Sequence, residues 1–221
     1  MGVGNTKGTT ARGYRSPRRE TQARQTRARI IGAAAQRFLA HGYSGTTMRA
    51  VAADAGVALP TVELAFHTKA RLLKAVIDVA IAGDDEHVAM LDRQWATAAE
   101  SVADPAGFIA AFAQQLTTSA GRAAGLMLAA LEGGRSDQDI ADVAAQLMSQ
   151  RQVMAAWLVD GIVLRSALRR ETSRGDAVDT VWTLMDPMIF CRLTEDRDWT
   201  PGQFQHWFTD TVTQLLLPAD P

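Results

Sequence analysis

The stretch Met48–Phe66, MRAVAADAGVALPTVELAF, leaves the chain little choice of local fold. Apolar residues recur at helical spacing in two short runs, Met48/Val51/Ala52/Ala55 and Val62/Leu64/Phe66, on either side of Ala55-Gly56-Val57-Ala58. Gly56 stands where a first short helix must stop and the chain reverse, a position that favours a positive φ and therefore glycine. Val57 can then enter a small core between two helices. Pro60 suits the first turn of the second, where its missing N–H is not needed and its fixed φ is already helical. Two short helices about a glycine turn predict a helix-turn-helix.

In such a unit the second helix, about Pro60–Phe66, lies in the DNA major groove with its N-terminal residues at the base edges. The surrounding residues resemble the DNA-binding segment of the TetR family of bacterial transcriptional repressors. The resemblance rests on Gly42-Tyr43, Thr46-Thr47, Val51-Ala52, Ala55-Gly56-Val57, Thr61-Val62, Phe66, Thr68-Lys69 and Leu72-Leu73. It implies an all-α chain with an N-terminal three-helix helix-turn-helix DNA-binding domain and a C-terminal helical ligand-binding and dimerisation domain. The implied function is that of a ligand-responsive regulator, a repressor that binds a palindromic double-stranded DNA operator as a dimer and is released by a small-molecule inducer. DNA contacts are implied at Thr47, Arg49, Ala58, Leu59, Pro60, Thr61, Leu64 and Lys69. Ala58 stands where the family usually has Ser, and Glu63 where it has a Tyr that touches phosphate, so the contact at 63 is not carried over.

Composition agrees with a helical chain. Apolar residues make up 47% of 221, Ala is abundant, and Gly and Pro gather at helix ends. No apolar run approaches the length of a bilayer span and no signal sequence opens the chain, so a cytoplasmic location without a membrane partner is expected. Cys191 is the only cysteine, which rules out an intrachain disulfide. The net charge of −1 hides two opposite halves: residues 1–80 carry 13 Lys and Arg against 4 acids, and the remainder 10 against 20. One end of the chain is suited to a polyanion and the other is not.

Residues 1–20 read as a disordered basic arm. Lys7, Arg12, Arg15, Arg18 and Arg19 either reach the DNA or only solubilise the chain. The DNA-binding domain is expected over 21–67, opening with a helix from about Glu20 to His41 whose Arg24, Arg27 and Arg29 meet phosphates or solvent. The ligand-binding and dimerisation domain follows over 68–221. Thr68 caps a fourth helix, and Gly83–His87 turns into another. Asp104-Pro105 opens a helix to about Ser119, a short apolar segment spans Leu126–Leu131, and Asp137 starts a long helix to about Arg170. The last two helices are expected over about Gly175–Arg192, bent by Pro187, and Pro201–Leu217. The resemblance implies that these two pair with a second copy in a homodimer; otherwise they complete a monomer core.

Phe108, Phe112, Met127, Met148, Met154, Trp157, Trp182 and Met185 are candidates to line an apolar ligand pocket, because Met and aromatic side chains suit irregular guests. Arg151 joins them as a charge on an otherwise apolar stripe: it pairs internally, reaches solvent along its stem, or meets an anionic group. No catalytic motif of the P-loop, G-x-S-x-G or H-E-x-x-H kind is present, so an enzyme is not expected. His41, His67, His87 and His206 lack metal-ligand spacing, and neither metal nor cofactor is expected. The remaining class is a helical interaction protein whose helix-turn-helix no longer meets DNA.

Overall fold

A computed structural model describes residues 17–218. Among them the chain forms ten α-helices and no strand: α1 Pro17–Gly45, α2 Met48–Asp54, α3 Leu59–Phe66, α4 Lys69–Ala82, α5 Gln94–Glu100, α6 Pro105–Gly133, α7 Gln138–Val163, α8 Arg174–Leu184, α9 Pro187–Cys191 and α10 Pro201–Leu216. Short polar side chains start most of them. Thr47, Thr68, Asp104, Asp137, Ser173, Asp186 and Thr200 each accept a hydrogen bond from a backbone N–H of the first turn.

Two apolar clusters hold the helices together. Ile30, Phe38, Val51, Val62, Phe66, Leu72 and Ile77, from α1 to α4, pack with Leu126 and Ala130 of α6 and Ile140 of α7. Phe108, Phe112, Leu158, Ile162, Val181, Phe204 and Phe208 build the second, from α6, α7, α8 and α10. α6 and α7 are therefore the helices common to both. None of the described helices is long and apolar enough to cross a membrane.

Several boundaries differ from the sequence reading. Residues 17–20 belong to the first turn of α1 rather than to an arm, and the arm expected over residues 1–16 lies outside the described residues. α1 runs past the expected end at His41: Gly42 only interrupts it, at φ 65° and ψ −176°, and a last helical turn follows. The helix from Asp104 does not stop near Ser119. It runs unbroken to Gly133, since none of its glycines takes a positive φ, and Gly125 gives room for Leu39 of α1: a Cβ there would come within 2.9 Å of that side chain. α7 ends at Val163, short of Arg170. Arg165 fixes the exit, its Nε donating to Val102 O (2.7 Å), Nη1 to Gly161 O (2.8 Å) and Nη2 to Glu100 O (2.6 Å).

Pro187 divides the expected helix 175–192 into α8 and α9, as a missing N–H at that point requires, and Asp186 caps the new start. The chain after Gly83 does not pass directly into a helix. Residues 84–89 form a non-helical strap, followed by a short 3-10 turn over Met90–Asp92 and then α5.

Candidate nucleic-acid interface and the cavity behind it

The helix-turn-helix is built from local bonds. Thr47 Oγ1 accepts from Ala50 N (3.1 Å) to start α2, and buried Thr46 donates its hydroxyl to Gly42 O (2.8 Å). Gly56, at φ 63°, donates to Ala53 O (3.1 Å), and Val57 N donates to Ala52 O (3.0 Å), which closes the turn. α3 begins without help from a side chain, because Ala58 at its N-cap has no hydroxyl or carboxylate to offer. Val62 and Phe66 then anchor it in the first core. Arg37 reinforces the arrangement from α1, donating to both oxygens of Asp54 at the end of α2 (Nε 2.5 Å, Nη2 3.1 Å).

Of the residues marked for DNA, Thr47, Arg49, Ala58, Pro60, Thr61 and Leu64 are exposed, and Leu64 is 80% accessible. Leu59 is half-buried against the first core. Lys69 stands at the border of this surface with its ammonium turned inward. It donates to Tyr43 O (2.9 Å) and sits 4.0 Å from the centre of the Tyr43 ring. Burial holds the Lys69 ammonium below the ordinary lysine range, with Asp137 acting the other way. The Tyr43 hydroxyl in turn donates to Asp137 Oδ2 (3.0 Å), so the head is linked to the start of α7.

Behind the head lies a cavity of about 640 Å³, bounded by α4, the strap 84–89, α6, α7 and the α8–α9 junction. Five of the nine candidate ligand residues line it: Phe112, Met127, Arg151, Met154 and Met185. The other four stand outside. Phe108 and Trp157 belong to an aromatic stack, 5.2 Å between ring centres, that Trp95 completes. Met148 Sδ lies 3.1 Å from Arg151 Nη1, and the Trp182 ring lies 4.7 Å under the same guanidinium. Arg151 is 5% exposed and finds its partners within the fold: Asp186 Oδ2 at 3.0 Å and Trp182 O at 2.7 Å. Its desolvation lowers its affinity for the proton from the usual arginine value, and Asp186 opposes that.

The strap and the 3-10 turn after it supply lining residues not singled out from the sequence, among them Val88 of the strap and Met90 and Leu91 of the turn. They follow no helical period, so only their apolar character marked them. Charge pairs fasten the strap. Arg93 donates to both oxygens of Asp84 (2.6 and 2.9 Å) and, with the Glu86 N–H, holds that carboxyl at about 2. Arg27 of α1 donates to both oxygens of Asp85 and lies 4.8 Å from the ring of Phe66, the last residue of α3.

Residues 30–76 match the model of the bacterial regulatory proteins, tetR family. No curated protein sequence matches the chain. Several solved structures share its fold. A protein described as a TetR-family transcriptional regulator from Rhodococcus sp. is 12% identical with a TM-score of 0.65, over 87% of this chain and 99% of that one. The transcriptional regulator FadR from Bacillus subtilis, in complex with stearoyl-CoA, is 14% identical with a TM-score of 0.65, over 84% and 96%. A transcriptional regulator from Saccharomonospora viridis, in complex with choline, is 13% identical with a TM-score of 0.63, over 86% and 96%. Residues 30–76 are thus similar to the amino-terminal segment of the bacterial regulatory proteins of the tetR family, and the fold as a whole is like that of these solved regulators.

Proposed function

We propose that the protein is a ligand-responsive transcriptional repressor that binds a palindromic operator as a homodimer and leaves it when a small molecule enters the cavity. Residues 21–67 would serve as the reading head, with Thr47, Arg49, Ala58, Leu59, Pro60, Thr61, Leu64 and Lys69 at or beside the DNA, and residues 68–221 as the ligand-binding and dimerising body. The observation that carries the reading is the pairing of an outward, unobstructed α3 with an apolar cavity whose lining includes Arg27 of the head. A volume of about 640 Å³ falls within the range of drug-sized ligand sites. The structures containing choline and stearoyl-CoA support a ligand for the cavity without naming it.

Dimerisation through the region 175–217 is supported by exposed apolar side chains there, Met188 at 40% and Leu215 at 45%. A two-fold pair would also give the head the two half-sites that tight binding needs. Ligand release requires that the guest prefer the DNA-incompetent state, since equal affinity for both states shifts nothing.

Fluorescence anisotropy with DNA flanking the gene, together with DNA selected from a random pool, tests the reading. The expected result is a salt-dependent complex of two chains per inverted repeat. Failure to bind any DNA would end the reading.

A further inference from the structure

Resting on that DNA-binding reading, we propose that Leu64 reads the C5-methyl group of a thymine in each half-site. α3 is unusual in its chemistry. From Leu59 to Phe66 its one charged residue is Glu63, so no guanidinium or ammonium from this helix is available to reach guanine O6 and N7. At about 100° of turn per residue, Leu64 stands about 180° from the mean direction of Val62 and Phe66, the two side chains that seat the helix. Pro60 and Thr61 flank it one turn earlier on the same outward face. Glu63 lies only about 80° from the buried direction and so falls to the side.

The centre of the outward face is therefore an aliphatic side chain at 80% exposure, with Pro60 beside it and no polar group of its own. A single exposed leucine is ordinary on a protein surface. This one stands on the outward face of the helix that a helix-turn-helix lays in the major groove, one turn after its N-terminal residues. In the major groove one base offers an apolar group, the thymine methyl, and apolar side chains recognise it by contact. The charge distribution agrees with that occupant: the basic excess of the first 80 residues lies on other elements, on Arg24 and Arg29 of α1, Arg49 of α2 and Arg71 of α4, all exposed, where it can position the backbone while α3 reads.

The test uses the full chain and DNA selected from a random pool. Each thymine of the enriched half-site is replaced singly by deoxyuridine, which keeps base pairing and removes only the methyl group, and affinities are measured for the wild type and for Leu64→Ala. One thymine position should lose about fourfold in the wild type, the weight of one buried methyl group, and nothing in Leu64→Ala. Leu64→Ala should fold as the wild type does, judged by circular dichroism, because the side chain it removes is outside both cores. Enriched half-sites without a uracil-sensitive thymine, or a sensitivity that persists in Leu64→Ala, would overturn the inference while leaving DNA binding intact. A pool from which nothing is enriched would overturn the proposed function as well.

Discussion

Arg27 and Asp85, 58 positions apart, form a two-pronged ion pair, Nε to Oδ2 at 2.6 Å and Nη2 to Oδ1 at 3.2 Å, that ties the first helix to the strap over the cavity. The two side chains are 33% and 39% exposed, so the pair should add under ~1 kcal/mol to global stability. Its effect is local. Asp85→Ala should leave the melting temperature nearly unchanged and speed hydrogen exchange at the amides of residues 86–92. Unchanged exchange there would show that the apolar contacts of Met90 and Leu91 hold the strap alone.

Ala58 offers a second test. It is the N-cap of α3 with φ −72° and ψ 144°, an extended backbone that a serine adopts without strain, and its side chain accepts no hydrogen bond. Ala58→Ser should raise stability by about 1 kcal/mol in urea unfolding. No gain would mean that the N–H groups at the start of α3 are already well served by water.

Alkaline stability should depend on Tyr43. Burial, and then the hydrogen bond to Asp137, raise its hydroxyl well above the ordinary value of 10.0. The unfolded chain loses this proton from pH 10 upward while the folded chain keeps it, so the folded state holds more protons and stability falls as pH rises through that window. Lys69, whose ammonium is depressed by burial, opposes this trend. Urea unfolding from pH 8 to 11 should give a steeper decline for the wild type than for Tyr43→Phe. Parallel curves would remove Tyr43 from the account.

One substitution should have opposite effects at two glycines. A Cβ at Gly32 in α1 meets nothing within 4 Å, and Gly32→Ala should stabilise by up to about 1 kcal/mol through helix propensity. At Gly161 in α7 the same atom would enter the ring of fully buried Phe108. Gly161→Ala should destabilise, with an overpacking cost of about 1–3 kcal/mol outweighing the propensity gain. Thermal unfolding of both variants checks the signs, and a stabilised Gly161→Ala would mean that Phe108 moves freely.

The head was legible in the sequence because its signals are local: Gly56, Pro60, the cap Thr68, and two short apolar runs. The cavity was legible only in part. Phe112, Met127, Arg151 and Met154 stand on helices whose period places them inward, and Met185 directly follows α8, whereas the strap that closes the cavity has no period to read. The end of α7 depends on Arg165 reaching residues 100 and 102, a contact across more than sixty positions that no local pattern announces. Arg27 looked like one more solvated or phosphate-facing arginine of the first helix; its partners, Asp85 and Phe66, are brought to it by packing alone.

The first apolar core has a consequence for protein engineering. Ile30, Phe38, Val62 and Phe66 share it with Leu126, Ala130 and Ile140, so no seam of solvent or loop separates the three N-terminal helices from the rest. A chimera joined near residue 67, intended to move this specificity onto another regulator, would sever packed side chains. The transplant becomes viable only when the graft also carries the matching surface of the C-terminal ends of α6 and the first turns of α7, which makes the interchangeable part a patchwork of chain segments and not a contiguous one.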